Sequence, residues 1–165
     1  MSFMFRSALR EDVTLLLGLA GGTGSGKTYT AMRLAAGIAG DKPFAVIDTE
    51  ARRALHYADQ FKFDHTDLNA PFSPQRYGEA VIAAADAGYK VIVIDSVSHE
   101  HEGDGGLLDM QEQELQRMAG NDYGKREACL QASWIKPKRE HKRLFVQKVL
   151  QVRAHIIFCM RAEDK

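Results

Sequence analysis

At 165 residues the chain is long enough for one well-packed domain and too short for two. Its 22 basic and 22 acidic residues cancel, which excludes recruitment of nucleic acid or an anionic membrane by a global field and leaves only local patches for such contacts. The 45% hydrophobic and 27% charged fractions are those of an ordinary globular protein, and no apolar run is long enough to span a bilayer. Cys129 and Cys159 share no ligand spacing, so the expected compartment is the reducing cytosol and the expected state of both is a buried thiol.

The first predicted element is a buried strand over Val13–Ala20, a near-continuous apolar run. Residues 21 to 28 follow it as Gly-Gly-Thr-Gly-Ser-Gly-Lys-Thr, a complete G-x-x-x-x-G-K-[ST] loop, and an Ala- and Leu-rich helix over Lys27–Ala39 comes next, stopping at Gly40. Such a loop turns backbone N–H groups toward a polyphosphate at a helix N-terminus. The candidate nucleotide-binding residues are therefore Gly21, Gly22, Thr23, Gly24, Ser25, Gly26, Lys27, Thr28 and Tyr29. Lys27 is expected to reach the β- and γ-phosphates and the Thr28 hydroxyl to ligate Mg²⁺. The expected ligand is a nucleoside triphosphate.

Phe44–Thr49 reads as a second buried strand, and it ends in acids at Asp48 and Glu50. Either acid serves as a cap for a helix over Ala51–Phe61, or Glu50 orients the water that attacks a γ-phosphate. A further helix starts at Ser73-Pro74, with Ser73 as N-cap and Pro74 at its first position, and runs to Gly88. The strand Lys90–Asp95 ends in Asp95, a candidate magnesium ligand beside Thr28. In many phosphate-loop ATPases a Glu follows that Asp directly; Ser96 stands there, so the water-orienting acid is sought elsewhere, first at Glu50 and second at Glu100. The last strand is Ala154–Met160, and Arg161 after it reads as a cationic γ-phosphate sensor or as a solvated strand end.

The interval between the last two strands is too long for an ordinary connection. A Gly- and acid-rich loop (Glu102 to Gly106) leads into a polar helix over Leu107–Met118, a break at Gly120-Asn121-Asp122, and a basic helix over Lys138–Gln151 with an apolar stripe at Leu144, Phe145, Val149 and Leu150. His99-Glu100-His101-Glu102 reads as a loop near the γ-phosphate or a subunit edge rather than a metal site, because no third ligand stands at a recognised spacing. Lys136, Lys138, Arg139, Lys142 and Arg143 form the densest basic cluster, with Trp134 just upstream. They read as a solvated helix face, as a single-stranded DNA contact or as a reach into a neighbouring subunit's nucleotide.

The phosphate loop, the Phe44–Glu50 segment and the Val91–Val97 segment occur in the order and spacing of the RecA-like ATPase core. The chain resembles most the small phage-encoded RecA-like proteins tied to recombination and single-strand annealing, through Ser98-His99-Glu100 after the magnesium strand and a late strand ending in Arg161. That resemblance implies a three-layer α/β fold with a mostly parallel sheet, a single domain over 1–165 with 103–150 as a helical insertion, and a core truncated after its last strand. It implies Glu50 as catalytic base and Asp95-Ser96 as the magnesium-strand pair. The implied activity is Mg²⁺-dependent ATP hydrolysis, with ATP and ADP as ligands, single-stranded DNA and further copies of the chain (a ring or filament) as partners, no membrane, and a bacterial or infected-host cytosol. The competing classes are a small-molecule phosphotransferase with Lys136–Arg143 as a lid, and a nucleotide-dependent binding module with negligible turnover.

Overall fold

Strands form where β-branched and other apolar residues run unbroken. In the computed structural model, which describes residues 4, 7 and 13–162, these are β1 (Leu16–Gly21), β2 (Phe44–Asp48), β4 (Val91–Asp95) and β5 (His155–Arg161). A fifth strand, β3 (Phe63–Asp67), has no such run. The helices are α1 (Lys27–Ala39), α2 (Pro74–Asp86), α3 (Ser98–Glu102), α4 (Leu107–Ala119), α5 (Tyr123–Ser133), α6 (Ile135–His141) and α7 (Gln147–Gln151). A 3₁₀ turn covers Arg53–Tyr57, and a π-helical segment, Lys142–Val146, joins α6 to α7.

The sheet order is β1-β5-β4-β2-β3, and every neighbouring pair is parallel. Side chains alternate across it, so each strand feeds two cores. Ala45, Ile47, Ile92, Ile94 and Ile156 face α2, the π segment and α7, meeting Tyr77, Val81, Phe145 and Val149. Phe44, Val46, Val91, Val93, Ile157 and Cys159 face α1, meeting Ala31, Met32 and Ala35. The result is the three-layer α/β fold of a phosphate-loop nucleotide-binding protein. Ile92, Ile94 and Ile156 are fully buried, each contributing about 2 kcal/mol of transfer free energy. On the first face α2 and the π segment touch backbone to backbone, because Gly78 leaves no side chain between them and the Leu144 carbonyl.

Several expectations are corrected. The first strand starts at Leu16, and Val13 and Leu15 ahead of it are 75% and 56% exposed, since β1 is an edge strand without a second neighbour among the described residues. Ser73 holds the N-cap position of α2 with extended backbone, but its side chain makes no cap hydrogen bond. Instead of a helix over Ala51–Phe61 there is a left-handed pair, Ala51 and Arg52 (φ 54° and 66°), followed by the 3₁₀ turn. His99–Glu102 is not a loop but the turn α3. The basic helix is broken into α6, the π segment and α7, and Leu150 is 65% exposed while Phe145 and Val149 are buried. α5 was not expected; Asp122 caps it, accepting from Lys125 N–H at 3.0 Å. The segment after Ala162, on which the expected truncation turns, lies outside the described residues. Among the described residues no helix is long and apolar enough to cross a membrane.

Candidate functional site

Because all strands run parallel, the loops after β1, β2, β4 and β5 emerge along one edge of the sheet, where ligands of open α/β sheets bind. The loop after β1 leads into α1 through Gly24 and Gly26, both left-handed (φ 77° and 83°), a backbone that residues with a Cβ rarely adopt. Lys27 opens α1, and its ammonium donates to the Gly21 and Gly22 carbonyls, each at 2.7 Å. An ammonium has three donors, so one remains for a phosphate oxygen.

A cleft of about 320 Å³ lies against this loop. One wall is the loop itself, from Thr23 to Thr28; the other joins Glu50, Asp95, Ser96 and Arg161. Strand order produces that second wall. β5 sits between β1 and β4, with Arg161 in register with Gly21, while β2 lies beside β4 with Asp48 in register with Asp95. The Thr28 hydroxyl donates to Asp95 Oδ2 at 2.6 Å. Two hard oxygen donors side by side fit Mg²⁺, which takes one or two protein oxygens and fills the rest of its shell with phosphate and water. Burial raises the Asp95 carboxyl above the ordinary carboxylate range; the Thr28 hydrogen bond opposes that shift, and the negative Glu50 and Asp48 reinforce it. Such a carboxylate gains from a cation. Cys159, fully buried beside Asp95, is held protonated by burial and by that neighbouring charge.

Glu50 is mostly buried, at 11% side-chain exposure, and Arg161 Nη2 donates to both of its carboxylate oxygens at 2.6 and 2.5 Å. Arg53 Nη1 approaches the same carboxylate at 3.7 Å. Asp48 does act as a turn acceptor, taking the N–H groups of Glu50 and Ala54. Glu100 is placed elsewhere: it is 4% exposed and bonded to His141 Nδ1 at 2.7 Å, outside the cleft wall. His99 Nδ1 is 2.8 Å from Thr49 Oγ1, and His101 stacks on Trp134, so α3 bridges the cleft side of the sheet to α6.

Tyr29 lies off the cleft wall, packed against Tyr57 and Phe61. The lining residues that sequence reading missed are Arg53, His56 and Tyr57. Their only signal was position, within seven residues of Glu50. Of the basic cluster, none lines the cleft. Lys136 pairs with Glu114 at 2.7 Å, and Lys138 sits over Trp134 at 5.6 Å. Arg139, Lys142 and Arg143 are exposed and pair with no carboxylate among the described residues.

The Glu100 contact also raises the pKa of His141 above its ordinary 6.5. A raised histidine contributes stability that is complete below 6.5 and is lost as pH climbs through the raised value. Melting temperature is therefore expected to fall with rising pH across that window, and His141→Gln to flatten the fall in thermal scans.

A glycine-rich loop that leads from a parallel strand into a helix, with an acid two strands away aimed at its threonine, defines a phosphate-loop nucleotide-binding protein. Within that class the chain belongs to the AAA domain family, whose model matches residues 15–165. It is thus an ATPase-type, nucleotide-binding domain. A search of curated proteins found no match.

Proposed function

We propose that the chain is a single P-loop ATPase domain over 1–165, with 103–150 as its helical insertion. In this reading it is a RecA-like, Mg²⁺-dependent enzyme of the cytosol that hydrolyses ATP while handling single-stranded DNA in recombination of the phage type. The observation that carries this reading is that Glu50, at the end of β2, shares one cleft with the phosphate loop and Asp95. ATP lies along the loop with its γ-phosphate toward Glu50, and the Tyr57 ring offers an aromatic surface to the base. Lys27 offsets charge on the β- and γ-phosphates. Glu50 orients a water and takes its proton as the water oxygen bonds to the γ-phosphorus and the bond to the ADP oxygen breaks. The Arg161 guanidinium, beside Glu50, stands near the charge that develops on the transferred group. Thr28 and Asp95 would hold Mg²⁺, which when bound would supply further neutralisation of the phosphate oxygens.

The phosphotransferase reading needed Lys136–Arg143 as a lid over the nucleotide. Those residues lie off the cleft, on a segment anchored by buried Pro137 and Phe145, which favours water as the acceptor. The exposed Arg139, Lys142 and Arg143 suit a phosphate backbone, or a neighbouring copy in a ring or filament. ATP turnover measured with and without single-stranded DNA tests the reading: stimulation is expected, and transfer of phosphate to a small acceptor would overturn it. Replacing Arg139, Lys142 and Arg143 with Ala is expected to weaken DNA binding and to lower the log–log salt slope by about 2, at roughly 0.7 per lost contact. An unchanged slope in a salt titration would remove this segment from the DNA-binding surface.

A further inference from the structure

Glu50 sits on a short, unusual piece of backbone. β2 ends at Asp48, and three residues later the chain passes through Ala51 and Arg52 with φ 54° and 66°, a left-handed pair built from residues that both carry a Cβ. Each such residue is strained and persists only where its surroundings impose it. The imposing group is Asp48. Its carboxylate is 2% exposed and brackets the pair, with Oδ1 accepting Glu50 N–H at 2.6 Å and Oδ2 accepting Ala54 N–H at 3.0 Å. His65, from β3, approaches Oδ2 at 3.2 Å with its Nε2, and the same nitrogen has Asp67 Oδ1 at 3.7 Å. Asp67 in turn accepts from Arg52 Nε at 2.8 Å, which ties the second left-handed residue back to the same strand. The carboxylate, the imidazole and the second carboxylate close a ring around the turn that presents Glu50.

Resting on the hydrolysis reading above, we propose that Asp48 is a positioning residue for Glu50, and that His65 holds Asp48 in place. Asp48 does not itself line the cleft; it acts on Glu50 through the backbone of residues 50–54, and its charge is also felt at Asp95. This gives β3 a role in the site. With the Asp48–His65 contact, an edge strand sets where a carboxylate two residues beyond β2 points. Nucleotide affinity, set by the loop from Gly21 to Thr28, is independent of it.

The Asp48→Asn variant separates these roles, because an amide nitrogen cannot accept an N–H, and one of the two turn bonds is lost. Expected is a fall in kcat of about 10- to 100-fold, the scale of a small misplacement of a reacting group, with KM for ATP and the affinity for ADP within about twofold of wild type. Amide hydrogen exchange in a peptide spanning 49–55 is expected to quicken, and in one spanning the phosphate loop to stay unchanged. A wild-type kcat, or a loss of ADP affinity and melting temperature in step with kcat, would overturn the proposal. Should Asp48→Asn not fold, His65→Leu takes its place: it is expected to lower kcat, and His65→Gln, which keeps a donor at the Nε2 position, to restore much of it. Equal loss in both would also overturn the proposal. If the wild type shows no turnover at all, it is the hydrolysis reading that fails, and the exchange measurement alone then decides whether Asp48 orders the turn.

Discussion

Glu50→Gln is expected to lower ATP turnover by about 10²- to 10⁴-fold, the range that a positioned general base contributes. Glutamine keeps the size of the side chain and one oxygen for Arg161, so the geometry of the cleft persists, but its amide cannot take a proton from water. ATP affinity is expected to stay within about twofold, because it rests on Lys27, Thr28 and the loop N–H groups, whereas Glu50 bonds to Asp48, Arg53 and Arg161. Steady-state phosphate release and equilibrium binding of ADP measure the two quantities separately. Each Glu50 oxygen retains a lone pair beyond the one that Arg161 uses, so the ion pair itself leaves room for a water. Unchanged turnover would remove Glu50 from the chemistry. Loss of binding together with turnover would make it a structural residue of the turn.

Gly78→Ala is expected to destabilise the protein by about 2 kcal/mol, although Ala is the better helix former. Within α2 the exchange alone would stabilise by roughly 1 kcal/mol. The added Cβ, however, would lie 1.9 Å from the Leu144 carbonyl oxygen and 3.1 Å from its carbon, and backbone cannot swing aside as a side-chain tip does. Overpacking of this kind costs about 3 kcal/mol, so the clash outweighs propensity. Gly37 in α1 supplies the control: it is exposed and nothing lies within 4 Å of its ideal Cβ, so Gly37→Ala is expected to stabilise by about 0.5–1 kcal/mol. Chemical denaturation of the two variants beside the wild type gives opposite signs if the contact is as described. A stabilised Gly78→Ala would mean that α2 and the π segment are less closely joined.

Local structure was legible where a short stretch of sequence is sufficient cause. The phosphate loop needs only its own glycines and the helix it opens, and α1 was read to its observed ends. The strands β2 and β4 are buried on both faces and therefore apolar at every position up to the aspartate that ends each. β3 reads Phe-Asp-His-Thr-Asp, because an edge strand alternates half-buried and exposed residues and needs no apolar run. α5 escaped notice because its apolar residues gather on no single face. In the Lys138–Gln151 stretch the helical period was visible, but not the π segment, whose Leu144 carbonyl packs against Gly78 of another helix.

The same division runs through the site. Sequence by itself determined that a triphosphate-binding loop exists, that acids end two of the strands and that an arginine ends another, since each is a matter of residue type and short spacing. Which of these groups meet was decided only by strand order. Inserting β5 between β1 and β4 sets Arg161 against Glu50, and pairing β2 with β4 brings Glu50 to the cleft, while the path of α3 sends Glu100 away to His141. Asp48's hold on the Glu50 turn likewise waits on β3 delivering His65. Pairing in a parallel sheet joins segments far apart in the chain, and the free energy that selects one order is spread over both cores rather than written in any one segment.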